Sequence, residues 1–143
     1  MNVDLLLEPV ISYCSLTVVI LMLNRRAIGF EGERRAVEFL KTEGFRILKT
    51  NYRTKMGEID IIAKKDDLIA FVEVKTRHSY AYGRPEEAVD RRKRKRIIKA
   101  AKYYLIENDL YDKQDIRFDV LSLTTKKSTF EIDYFENAFR EER

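Results

Sequence analysis

The sequence predicts one α/β domain, a mixed β-sheet with helices on its faces and its elements in the order αβββαββ. Three observations carry that reading. Residues 57–77, GEIDIIAKKDDLIAFVEVKTR, form two apolar runs joined by a short polar turn at Asp66 and Asp67, the pattern of a β-hairpin. Both runs are apolar on both faces, at Ile59, Ile61, Ile62, Leu68, Ile69, Phe71, Val72 and Val74, as in strands covered from two sides. Stretches of helical periodicity stand before and after the strands, and 143 residues suffice for one core but not comfortably for two. No internal repeat, low-complexity tract or Gly/Ser linker marks a second domain.

In chain order, residues 1–28 stand apart. Val10 to Leu23 is uncharged and mostly apolar but shorter than the roughly 20 residues that span a bilayer. Asp4 and Glu8 precede it where a signal peptide carries positive charge, and no small-residue cleavage site follows. We read it as an extension foreign to the domain, without stable membrane insertion. A helix packed on the domain, a weak membrane contact and a true start at Met22 are the alternatives. Gly29 to Gly44 reads as a helix, with Ala36, Val37 and Leu40 at helical spacing and Gly44 as a left-handed cap. Glu33 falls on that same stripe and should face the sheet. Phe45 to Thr54 is a strand, and Lys55-Met56-Gly57 turns it into the hairpin.

After the hairpin, Thr76 to Arg84 is polar and aperiodic and reads as a loop beside the site, where Tyr80 and Tyr82, near Arg77 and Arg84, could stack on unpaired bases. His78, the only histidine, has no evident partner and reads as a surface residue. Pro85 suits a first helical turn, and the helix runs to about Glu107 with Val89, Ile97, Ala100, Ala101, Tyr104 and Leu105 as its apolar face. Lys93 lies on that stripe, while Arg91, Arg92, Lys95, Lys99 and Lys102 project on the opposite side as a phosphate-binding ridge. Ile116 to Leu123 is a strand, Thr124 to Ser128 a turn, Thr129 to Phe135 an edge strand, and Glu136 to Arg143 a short polar helix or a frayed end.

The hairpin also carries charge where covered strands should not. Alternation puts Phe71, Glu73 and Lys75 on one face and groups Glu58, Asp60 and Ile62 on one face of the other strand. A two-residue turn pairs Lys65 with Leu68, and counting back sets Asp60 opposite Glu73. Like charges so placed, about 5 Å apart at Cβ, destabilise a sheet unless something positive sits between them. A divalent cation such as Mg²⁺ or Mn²⁺ answers that need, because hard ions take carboxylate and water oxygens. Lys75, one pleat on, could then orient or deprotonate a water for attack on phosphorus. A plain salt-bridge cluster on a solvated face is the simpler alternative, and the apolar residues on both faces argue against it.

Asp60 followed by Glu73-Val74-Lys75 resembles the signature of the PD-(D/E)xK nuclease superfamily, although Ile59 stands where the motif has its proline. A longer match is more specific: GExxAxxFL at Gly32 to Leu40, then NYR, GEIDII, FVEVKTR, AVxxxK and RFDV, similar in order to the YraN-like uncharacterised protein family over about residues 29–140. The resemblance implies a restriction-endonuclease-like three-layer fold, with residues 29–143 as an endonuclease-like domain akin to Holliday-junction resolvases. It implies Asp60, Glu73, the Val74 carbonyl and Glu33 as metal ligands, with Lys75 catalytic. It also implies Lys93 near the scissile phosphate, Arg53 on a phosphate or a site carboxylate, and Asp119 in a structural or supporting role. Related resolvases act as symmetric dimers, which leaves room for a homodimer, with no interface readable in the chain.

Composition narrows the classes. Lys plus Arg number 28 against 24 acidic residues, so the net +4 points only weakly to nucleic acid, and the distribution of charge matters more. A single cysteine, Cys14, excludes an intramolecular disulfide and fits a cytoplasmic protein, and the lack of a Cys/His cluster argues against zinc. With the nuclease class that the resemblance implies, the reading is a metal-dependent endonuclease acting on DNA, branched or structured DNA included. A non-catalytic nucleic-acid-binding protein that keeps the fold is the alternative.

Overall fold

The computed structural model describes residues 9–78, 87, 89–126 and 129–141, with side chains from Val18 onward. The chain divides into two units, Met1–Glu31 and Gly32–Arg143. In the first, Val18 to Leu23 are helical and each is about half exposed. No helix among the described residues is long and apolar enough to cross a membrane.

The second unit is an α/β domain whose five-stranded sheet has the order β1-β2-β3-β4-β5, namely Arg46–Arg53, Glu58–Lys65, Leu68–Arg77, Asp115–Lys126 and Thr129–Phe139. Neighbours are antiparallel except β3 and β4, which run parallel from Leu68↔Asp115 to Arg77↔Thr124. A parallel pair needs a long crossover, and helix α2, Arg91–Glu107, lies within it. The helix α1 is assigned to Pro9–Thr42, longer than the Gly29 start that the periodicity suggests, because the apolar run before it is helical too.

The layers explain the two-sided strands. Ala36 and Leu40 of α1 pack on Ile61, Ala63, Ala70, Val72, Leu121 and Leu123. On the other face, Ile97, Ala100, Ala101, Tyr104 and Leu105 of α2 pack on Ile62, Ile69, Phe71, Phe118 and Val120. The result is the three-layer arrangement of a restriction-endonuclease-like fold. Each such fully buried aliphatic side chain contributes about 1.5–3 kcal/mol, so the core sits in two slabs astride the sheet.

Local chemistry sets the ends of the elements. Gly44, at φ +88, lets the Phe45 N–H reach back to the Leu40 carbonyl at 2.9 Å and closes α1. At α2 the predicted start moves: Pro85 lies outside the described residues, and the Asp90 carboxylate caps the helix by accepting from the Lys93 N–H at 2.8 Å, so it begins at Arg91. The strand β4 runs on to Lys126, past the expected turn at Thr124, because Thr124 and Thr125 still pair with Glu131 and Phe130. The expected polar helix or frayed end after Phe135 is also corrected. A register shift opposite Phe118–Val120, with Asn137 at φ +53, bends β5 and carries it to Phe139. Phe139 is buried and stacks on Phe118 with centroids 5.3 Å apart.

That bend is held by Asp119, fully buried. Its carboxylate accepts from Arg117 (Nε 2.9 Å, Nη2 3.0 Å), from the Tyr134 hydroxyl at 2.5 Å and from the Asn137 N–H at 2.8 Å. Asp119 is thus structural, with an arginine rather than a lysine as its partner.

Candidate active site

The hairpin places the acids. Asp66, at φ +52, and Asp67 make the two-residue turn, Lys65 pairs with Leu68, and the ladder continues to Ile61↔Val72. One more step of that register brings Asp60 level with Glu73. There the backbone pairing gives way, and the Val74 N–H donates to Asp60 Oδ2 at 2.7 Å. Ile59 and Ile62 both lie in the α2-side core while Ile61 lies in the other, so side-chain alternation breaks at Asp60. The carboxyl fills the gap that the break opens.

Glu73 is buried on the α2 side, following Phe71 by one pleat. Two ammonium groups converge on its Oε1: Lys75 Nζ at 3.1 Å and, from α2, Lys93 Nζ at 2.5 Å. Among the described residues its buried Oε2 has no hydrogen-bond partner when Asp60 is ionised, whereas an Asp60 that keeps its proton shares a side-chain hydrogen bond with Glu73. Burial, then repulsion from Glu73, push the Asp60 carboxyl up to about 7, against the Val74 N–H and the charge of Lys93. Burial works against the Lys93 ammonium, but its hydrogen bond to Glu73 and the charges of Glu73 and Asp60 outweigh that and raise its pKa.

Helix α2 reaches the site because it approaches the start of β2 closely. A Cβ on Gly57 would lie 2.6 Å from the Arg96 carbonyl oxygen. Lys93 sits in a concavity with Glu58, Asp90, Arg92 and Arg96, which puts Arg92 on the site side of the helix and corrects its expected place on the far side. Arg91 and Lys95 line a different concavity, shared with Arg94, Lys99, Lys102 and Arg140.

Glu33 of α1 is half buried and accepts from Asn51 Nδ2 at 3.1 Å, and among the described residues no group of three or more potential metal ligands forms. The Val74 side chain packs toward the α1-side core. Arg53 is exposed and pairs with Glu58 at 3.2 Å, not with Asp60 or Glu73. Arg77 closes β3, where its carbonyl accepts from Thr125 Oγ1 at 3.3 Å, and His78 lies beside the same hydroxyl at 3.1 Å. Tyr80, Tyr82 and Arg84 lie outside the described residues.

Sequence reasoning missed two residues. Ser122, in register with Lys75 on β4, is buried on the α2 side, and its Oγ has no partner among the described residues. Its only signal was a hydroxyl within an apolar strand. Arg140, which joins the α2 cations, carried no signal because it follows the part of β5 beyond Phe135 that the alternation does not show.

As a donor set, Asp60 and Glu73 offer hard oxygens, and the partnerless Glu73 Oε2 is the kind of atom a cation satisfies. Mg²⁺ or Mn²⁺ therefore fits these residues.

The family described as "Uncharacterised protein family UPF0102" matches residues 32–123. A UPF0102 protein of Persephonella marina is 45% identical over 111 residues, covering 74% of this chain and 95% of the relative. One from Clostridium perfringens is 47% identical over 117 residues, covering 80% and 95%. One from Alkaliphilus oremlandii is 47% identical over 115 residues, covering 80% and 98%. The family match begins at Gly32, where the second structural unit begins.

Proposed function

This chain belongs to the uncharacterised protein family UPF0102, and from that membership and the geometry of Asp60, Glu73, Lys75 and Lys93 we propose that it is a metal-dependent endonuclease hydrolysing phosphodiester bonds in DNA. The observation that carries the reading is the buried Glu73 carboxyl, level with and hydrogen-bonded to Asp60, with two lysines on its Oε1 and, among the described residues, no donor to its Oε2 once both acids are ionised. Such a carboxylate costs stability unless it serves a ligand.

Asp60 and Glu73 would hold Mg²⁺ or Mn²⁺, the Val74 carbonyl would add a ligand, and Glu33, steadied by Asn51, would support the site directly or through water. A bound cation would supply Lewis-acid polarisation of a phosphoryl oxygen and stabilise the charge that develops in hydrolysis, in which the water oxygen bonds to phosphorus and the bond to the leaving oxygen breaks. Lys75, an ammonium held against Glu73, would orient the attacking water, whose proton passes to bulk solvent. Arg92 and Lys93 receive the phosphate nearest the site. Arg91 and Lys95, with Arg53, Arg77, Tyr82 and Arg84, extend the contact to flanking phosphates and bases.

The test is a cleavage assay on branched and linear DNA with Mg²⁺ or Mn²⁺, with Glu73→Ala and Lys75→Ala as controls. We expect metal-dependent cleavage that both substitutions abolish. DNA binding without cleavage on any substrate would favour a non-catalytic binding protein, and cleavage that survives in both variants would overturn the assignment.

A further inference from the structure

The site holds two carboxylates, Asp60 and Glu73, and two lysines, Lys75 and Lys93, whose formal charges cancel when all four are ionised. A divalent cation entering between the acids must therefore contend with two ammonium groups already drawn to the same Glu73 oxygen. The two lysines are not equivalent. Lys75 sits one pleat from Glu73 on the same strand, and its side chain is 26% exposed. Lys93 arrives from another layer of the fold, is 43% exposed, and borders the concavity with Arg92 and Arg96. Its four-carbon stem can swing from Glu73 into that concavity without moving the sheet.

We propose that Lys93 is an internal counter-ion of the acid pair, and that its transfer from Glu73 to a substrate phosphate couples divalent-metal binding to nucleic-acid binding. A phosphodiester entering the concavity offers Lys93 an anion beside Arg92 and Arg96, and its departure removes one of the two positive charges that oppose a cation at the Glu73 carboxylate. Each ligand then strengthens the other, by the same factor in both directions. Lys93 in this role is a positioning residue, acting through Glu73. The inference rests on the proposed metal site.

Mn²⁺ is titrated by calorimetry into the full-length chain, free and saturated with a duplex DNA oligonucleotide. Wild type, Lys93→Met and Lys93→Arg are compared, with circular dichroism confirming that each is folded. For wild type we expect weak Mn²⁺ binding that DNA tightens at least about fivefold, within the usual range of such couplings. Lys93→Met should bind Mn²⁺ about tenfold tighter than wild type without DNA and gain at most about twofold from it, having lost one of two repelling charges. Lys93→Arg, which keeps the charge, should stay near wild type. If Lys93→Met binds Mn²⁺ no tighter than wild type while wild type does bind it, the counter-ion role is overturned and the metal site stands. No Mn²⁺ binding in any of the chains, with or without DNA, overturns the metal site itself.

Discussion

A carboxyl that keeps its proton up to about pH 7 reverses the usual dependence of stability on pH, and Asp60 is such a group. Below about pH 4 the folded and unfolded chains both hold that proton; between there and about 7 only the folded chain does. Stability contributed by the proton is therefore complete at low pH and disappears as pH rises through this window, by up to a few kcal/mol. The metal-free chain should show a falling urea midpoint from pH 5 to 8. Asp60→Asn keeps an acceptor for the Val74 N–H but removes the titration, so its profile should be flatter over the same range. Equal slopes for the two chains would count against the burial and repulsion described at this carboxyl. Asp60, Glu73 and Lys75 were legible as residues because a strand's period of two and a tight turn leave one pairing. The break in alternation at Asp60 was not legible, since it arises where β2 leaves the ladder and nothing in the local pattern marks it.

Among the elements, α2 and the hairpin depend on each other through Gly57. Any Cβ there would stand 2.6 Å from the Arg96 carbonyl oxygen and 2.9 Å from its carbon, both backbone atoms that cannot turn aside. Gly57→Ala should therefore push α2 from the start of β2, costing about 1–3 kcal/mol as overpacking does, and carry Lys93 away from Glu73. Gly29→Ala is the control: its Cβ meets nothing within 4 Å, and alanine at a helical position should stabilise by up to about 1 kcal/mol. Urea denaturation of both variants checks the opposite signs. The helix itself was visible in the spacing of Ile97, Ala100, Ala101, Tyr104 and Leu105, whereas its start was not. Pro85 and Asp90 are both good helix openers, and the observed Asp90 cap decided between them.

For the whole molecule, both halves of the core are built from residues between Ala36 and Phe139. A chain beginning at Gly29 should consequently unfold in one cooperative transition, with a midpoint within a few degrees of the full chain's. Thermal unfolding followed by circular dichroism checks this, and loss of cooperativity would show that the first unit is needed for the fold. By itself the sequence determined the order of the elements, the αβββαββ sheet covered on both faces, the hairpin register and the glycine cap at Gly44. Those features follow from periodicity and turn chemistry within short stretches of chain. Tertiary structure alone decided that Lys93 rests on Glu73, that Glu33 meets Asn51, that Arg92 faces the site, and that β5 continues to Phe139 around the buried Asp119. Which charged group a long side chain reaches depends on how closely the layers pack, and that distance is set by contacts between residues far apart in the chain.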